Sequence, residues 1–313
     1  MKFFLNRKFK NKILLQVSIV LVLLALEFTI MKTIMNDELS EIKDIYKVRV
    51  ESLENLTDEQ SISEVSYLNL SVDDVIDVFE DLNSKKYESI FDNSLFSYLY
   101  DIHNLYGVKV VLYCFYENSD TNFNLAKMTD RYKEEFQENS SWLKIGFHSL
   151  NGQTDYAETT TDELIDDYSK VIEEIVRFAG EDSLSQVVRL QGFYGTNEGL
   201  SALNSIDNGV KCFLTADDNR ISYELTTEEI SMLNLNRLIN VNGIYYLRTD
   251  LRIENIENLD DVLKKIESRE DPNYIIFTHE RKLNKKVYRE YLDKILYKAL
   301  ESNYYFDFVR MNK

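Results

Sequence analysis

From residue 65 to the end of the chain, apolar runs of strand length alternate with stretches of helical period. The strand-like runs are SYLNLS (66–71), VKVVLYCFY (108–116), WLKIGFH (142–148), VVRLQGF (187–193), VKCFLTA (210–216), GIYYLRTD (243–250) and YIIFTHE (274–280). Each is short, rich in β-branched and aromatic residues, and bounded by polar clusters. Between most of them, residues 75–82, 94–106, 129–138, 160–179, 196–207, 258–268 and 283–301 place apolar side chains at three- and four-residue spacing, which predicts amphipathic helices. A last run, YYFDFVRM, predicts a closing strand. Strand-then-helix units repeated in this way imply a parallel sheet, because parallel neighbours need crossovers. The expected class is α/β, a deformed (β/α)7–8 barrel rather than an open, doubly wound sheet. No G-x-G-x-x-G or G-x-x-x-x-G-K-[ST] follows any strand, which argues against the nucleotide-binding folds.

The beginning of the chain has a different pattern. Residues 13–31, ILLQVSIVLVLLALEFTIM, are apolar with their polar members mostly toward the ends. At about 1.5 Å per residue this run spans about 28 Å, close to the hydrocarbon thickness of a bilayer. Lys2, Arg7, Lys8, Lys10 and Lys12 precede it, with no acidic residue among positions 1–12. Such a flank keeps the N-terminus cytoplasmic. The expectation is a cytoplasmic basic stub (1–12), a single-pass membrane anchor (13–31), a polar stalk or flank (32–65) and an extracytoplasmic body (66–313). A cleaved signal peptide is the rival reading of the same run and exports the body equally; a buried core helix is the third.

Charge narrows the partners. The chain carries 36 basic and 54 acidic residues. Setting aside the five N-terminal cations leaves 31 against 54, a balance of −23 for the rest. A body this acidic repels phosphate backbones, and nucleic acid is excluded as a partner. The two cysteines, Cys114 and Cys212, lie within apolar runs and read as small buried hydrophobes, with no cysteine cluster to hold zinc.

In barrels of this kind chemistry collects at the C-terminal strand ends, and here those ends are polar. They offer Asp73 and Asp74, Tyr116 and Glu117, His148, Arg189 and Gln191, Asp217 and Asp218, Asp250, and His279 with Glu280. Of three histidines in the chain, two stand at such ends; His103 lies inside a helical stretch. The bland alternative for Asp73-Asp74 is a pair of acids at the start of the helix VIDVFEDL, and for Asp217-Asp218 a mere strand end.

Taken in order, these residues resemble the polysaccharide deacetylase (NodB-homology) superfamily, carbohydrate esterase family four. Ser71-Val72-Asp73-Asp74 is similar to its T-F-D-D motif, His148-Ser149 to the start of H-[ST]-x-x-H, and Arg189-Leu190-Gln191-Gly192-Phe193 to R-x-P-Y without the proline. Thr215-Ala216-Asp217-Asp218 is a loose counterpart of the fourth, Asp-rich motif and lacks its Trp, while Ile275-Ile276-Phe277-Thr278-His279 resembles the final strand ending in His. Gly152 stands where the second histidine of H-[ST]-x-x-H would be. The similarity runs from about residue 66 to 310.

The resemblance implies a barrel of the deacetylase and glycoside hydrolase type. It implies Asp73 as general base, His279 as general acid and Arg189 orienting Asp73. It also implies Asp74 and His148 as ligands of a divalent metal such as zinc, with Asn151, Asp155 or His279 open as the third, or a water in its place. The implied substrate is an N- or O-acetylated glycan of the cell surface, with Tyr116, Gln191, Phe193, Asp217 and Asp218 around it and Tyr194 as a further stacking ring. Two other readings stand beside it: a binding module that keeps the barrel without turnover, and a glycoside hydrolase pairing Asp74 with Asp217 or Asp250.

Overall fold

The computed structural model describes residues 65–271 and 273–309, together with 32, 33 and 40. The chain divides into two units, Met1–Leu53 and Glu54–Lys313, and the fold is that of the second. The stub 1–12, the span expected over 13–31 and nearly all of the flank 32–65 lie outside the described residues. Among the described residues no helix is long and apolar enough to cross a membrane.

The elements follow one another as β1 (Ser66–Val75), α1 (Asp77–Lys85), α2 (Ser94–Tyr106), β2 (Val110–Phe115), α3 (Lys133–Glu138) and β3 (Leu143–Ser149). Next come α4 (Thr161–Ala179), β4 (Val187–Val188), α5 (Asn197–Ser205), β5 (Cys212–Leu214), α6 (Thr227–Asn236), β6 (Leu238–Val241) and β7 (Ile244–Leu247). The chain ends through β8 (Leu251–Arg252), α7 (Leu259–Ser268), β9 (Asn273–His279), α8 (Lys286–Glu301) and β10 (Tyr304–Phe306).

Two sheets result. The larger has the order β3-β2-β1-β9-β8, with β10 also paired to β1, and every pairing in it is parallel. The smaller has the order β4-β5-β7-β6, parallel except for the β6–β7 hairpin. One backbone bond links β3 to the chain entering β4: Ser185 N–H donates to the Ile145 carbonyl at 2.8 Å. Asp250 N–H donates to the Ile275 carbonyl at 2.8 Å, which extends the β8–β9 ladder by one residue.

The strand β1 is buried along nearly its whole length because both of its faces are covered, as parallel strands between a filled interior and outer helices must be. The outer layer includes α4, which packs on β3. That helix starts with a reciprocal cap between Thr160 and Glu163, buries Leu164, Tyr168, Val171, Ile172, Ile175 and Phe178 along one stripe, and stops at Gly180 with φ +89°.

Some expectations shift. The first strand was expected to stop at Ser71, yet β1 continues to Val75, with its register against β2 slipping between Val72 and Val75. The run 187–193 shrinks to the two residues of β4, because Gln191–Phe193 turns at Gly192, which holds φ +64°. The helix α6 and the hairpin strand β6 occupy a stretch with no expected element. Cys114 and Cys212 are free and buried.

Candidate active site

The register slip in β1 shapes the site. A bulge turns successive side chains in new directions, and here it separates Asp73 from Asp74. Asp73 points into the interior and is 1% exposed. There the Arg189 guanidinium meets it, Nη1 to Oδ1 at 2.8 Å, while also donating to Ser71 Oγ at 2.7 Å and Thr249 Oγ1 at 3.2 Å. Arg189 is fully buried, and its guanidinium lies 4.2 Å from the centroid of the Phe277 ring. An isolated charge in such a place would be very costly, so the carboxylate, hydroxyls and ring face are what allow it there.

Asp74 turns toward the rim, with φ 59°. Its Oδ1 stands 3.2 Å from His148 Nε2. The other ring nitrogen, Nδ1, faces the Arg189 carbonyl. A carbonyl only accepts, so Nδ1 carries the hydrogen, and Arg189 thereby orients Asp73 through its side chain and His148 through its backbone. Burial pushes the Asp74 carboxyl upward, but the His148 hydrogen bond and the charges of His148 and His279 outweigh it and hold Asp74 below the ordinary range.

His279 completes the rim. It is the cross-strand partner of Asp73 on β9, and its Nε2 lies 4.0 Å from Asp74 Oδ2. Behind it stands Glu254, whose Oε1 accepts from Thr278 Oγ1 at 2.6 Å and from the His279 N–H at 2.8 Å, and lies 3.4 Å from His279 Nδ1. Burial lowers the affinity of His279 for its proton, but the Glu254 hydrogen bond and the charges of Asp73, Asp74 and Glu254 raise it above the ordinary histidine value. The sequence reading missed Glu254. Its signal lay in the polar tail TDLRIEN after the sixth strand-like run, four residues beyond Asp250.

A divalent metal is the group that the resemblance of the sequence motifs implies. Asp74 Oδ1 is buried and faces His148 Nε2 across 3.2 Å, so the two form a converging pair of metal donors. A zinc site takes three protein ligands and one open position. Asn151 is engaged by Glu117 at 2.7 Å and by the Gln153 N–H at 2.9 Å, and Asp155 by the Ala157 N–H at 2.9 Å. His279 Nδ1 faces Glu254, and its Nε2 stands 4.0 Å from Asp74 Oδ2, outside the closer pair that Asp74 and His148 form. Among the described residues no three His, Cys, Asp or Glu side chains are grouped to hold an ion. As arranged, the donors fall one short and do not fit a resident zinc.

Beside Asp74 opens a cavity of about 280 Å³, lined among others by Phe115, Asn118, Gly152, Gln153, Gln191 and Arg281. A Cβ built on Gly152 would meet only the Phe115 ring, at 3.7 Å. The missing side chain of residue 152 is therefore open space on the cavity wall.

Neither a protein-family model nor a curated protein sequence matches the chain. It is similar to solved CE4-family structures. One is the Xyl-CE4 domain of a multidomain xylanase from the hindgut metagenome of Trinervitermes trinervoides, at 13% identity and TM-score 0.46 over 78% of this chain and 87% of that one. Another is the catalytic domain of a peptidoglycan N-acetylglucosamine deacetylase from Eubacterium rectale, at 13% and 0.43 over 79% and 89%. A third is a CE4-family pseudoenzyme from Bacillus anthracis, at 12% and 0.36 over 77% and 63%.

Of the residues expected around a CE4-type site, the structure gathers Asp73, Asp74, His148, Arg189 and His279. Gln191 lines the cavity, its Nε2 donating to the Gly152 carbonyl at 3.4 Å. Others need correction. Phe193 is 5% exposed and packs edge-on against Phe277, so it offers no face to a sugar; Tyr194 beside it is 43% exposed. Asp217 is bound to Arg252 at 2.6 Å, and Asp218 is clasped by Arg220 of its own loop at 2.6 Å. Asp250 is buried against Arg237 and accepts the Ile275 N–H at 2.7 Å. Each of the carboxylates expected to pair with Asp74 in a glycosidase thus has an arginine partner already. Tyr116 is half-buried, its backbone tied to Ser149 and Leu125. Asp73 and Asp74 do not cap α1: its N-cap is Ile76, with no side-chain cap. His103 stacks on Trp142 at 4.4 Å, a packing role.

Proposed function

We propose that the chain is a divergent polysaccharide deacetylase-like hydrolase that acts on acetylated glycan. Its expected anchor at 13–31 would hold the body outside the cytoplasmic membrane, against cell-surface polysaccharide. The observation that carries the reading is that four separate strand ends converge: Asp74 and His279 meet at a rim beside a cavity, next to His148 and to the buried Asp73–Arg189 pair. The order of motifs along the sequence supports it independently.

The residues divide the work by environment. Arg189 holds Asp73 in one orientation, suited to taking a proton from an attacking water. Attack forms a C–O bond at the acetyl carbon and breaks its bond to the sugar nitrogen or oxygen. His279, with its affinity for a proton raised, delivers that proton to the leaving atom. Asp74, held ionised, and His148 border the acetyl position, and Gln191 and Gln153 present amides to sugar hydroxyls. No step is assigned to a metal, because the donors fall short of one.

That shortfall favours a second reading, a glycan-binding protein without turnover. Acetate release from an N-acetylated chito-oligosaccharide separates the two. The hydrolase reading expects release by the full-length protein and a loss on the order of 100-fold or more in His279→Ala. Retained glycan binding with no acetate supports the binding reading. Activity abolished by a chelator and restored by zinc would overturn the two-donor description of the site.

A further inference from the structure

Three consecutive residues follow the core of β9, and each is aimed at a different part of the turn between β1 and α1. His279 faces Asp73 and Asp74. Arg281 grips the side chain of Asp77, Nε to Oδ2 at 2.6 Å and Nη2 to Oδ1 at 3.0 Å, and reaches Asp120 Oδ2 at 2.7 Å. Between them Glu280, 4% exposed, runs beneath the start of α1. Its Oε2 accepts from the Ile76 N–H at 2.8 Å and the Asp77 N–H at 2.9 Å, and its Oε1 from the Val78 N–H at 2.5 Å.

Helix starts leave backbone donors that need acceptors, normally supplied by a neighbouring Ser, Thr, Asp or Asn. Here Ile76 supplies none, and a carboxylate some two hundred residues away in sequence does so instead. Just upstream, Asp74 sits at φ 59°, a conformation a non-glycine residue keeps only where its surroundings enforce it. The end of β1 cannot relax while α1 is pinned to β9.

We propose that Glu280 is a positioning residue: by tying the first turn of α1 to the end of β9, it fixes Asp74 and Asp73 relative to His279. The kinetic consequence rests on the deacetylase reading above; the structural consequence does not. A plain helix cap would lower stability when removed but leave the geometry of the folded site unchanged.

The test compares full-length wild type with Glu280→Gln and Glu280→Ala, at a temperature where circular dichroism shows all three folded. The alanine variant is expected to lose kcat for acetate release on the order of 100-fold, with KM moved less than about threefold and the glutamine variant in between. In a crystal structure of either variant, the 3.2 Å separation of Asp74 Oδ1 and His148 Nε2 is expected to widen. An unchanged separation with kcat within about twofold of wild type overturns the proposal. If wild type releases no acetate, the deacetylase reading falls and the crystal structures alone decide the role of Glu280. If the alanine variant does not fold, the isosteric glutamine variant, which keeps one acceptor oxygen, carries the test.

Discussion

Arg189 shows how one residue can organise a site without touching what enters it. Its side chain fixes Asp73 and its carbonyl fixes the tautomer of His148. Glu254 does similar work for His279, and that pair yields a pH prediction. The folded protein lowers the Glu254 carboxyl below its ordinary 4.5 and raises His279 above its ordinary 6.5. The carboxylate's contribution to stability is present above 4.5 and lost as pH falls through its folded value. The imidazolium's is present below 6.5 and lost as pH rises through its folded value. The stability gap between wild type and Glu254→Gln should therefore be widest between about pH 4.5 and 6.5 in urea titrations and narrow on either side. In the same variant the His279 ring should titrate at lower pH by NMR. The aspartates, histidines and arginine of the rim were legible because each ends or follows an apolar run. Glu254 was not, because it follows the two-residue β8, too short to give an alternating pattern, and only the fold brings it to His279.

At the scale of elements, the helices with clear caps and stripes were legible, as were three strands of the small sheet; α6 and β6 were not. Thr160 and Glu163 announce α4 at the right residue. The same signature, Thr226 with Glu229, announces α6, but that helix buries only Leu233 and has no apolar stripe to draw attention. The hairpin β6–β7 turns at Asn242 and Gly243, with φ 54° and 89°. Asn-Gly between apolar runs is a strong local hairpin signal, set here among strands whose other connections are crossovers. Replacing Thr160 by alanine removes the acceptor of the Glu163 N–H at one end of the reciprocal cap. It should cost about 1 kcal/mol in chemical denaturation while leaving the site intact.

For the whole molecule, the pairing of strands is uneven. The flanks of β1 carry long ladders, whereas the larger and smaller sheets meet at β3 through a single backbone bond, Ser185 N–H to the Ile145 carbonyl. Opening one bond exposes an amide far more easily than opening a ladder. Hydrogen exchange at the Ser185 amide should outpace exchange in the middle of β1, and equal protection would show that seam to be as firm as the ladders. The alternation of runs made the parallel, layered arrangement legible; the seam was not, because it depends on where β4 is cut short.

The pairing of β1 also has a consequence in time. A ribosome delivers β1 before every other strand of the body, yet the neighbours that secure it, β9 and β10, are among the last segments made. The nascent chain must hold this central strand unpaired on one side for some two hundred residues of synthesis, and only release of the final helix and strand lets the sheet zip shut.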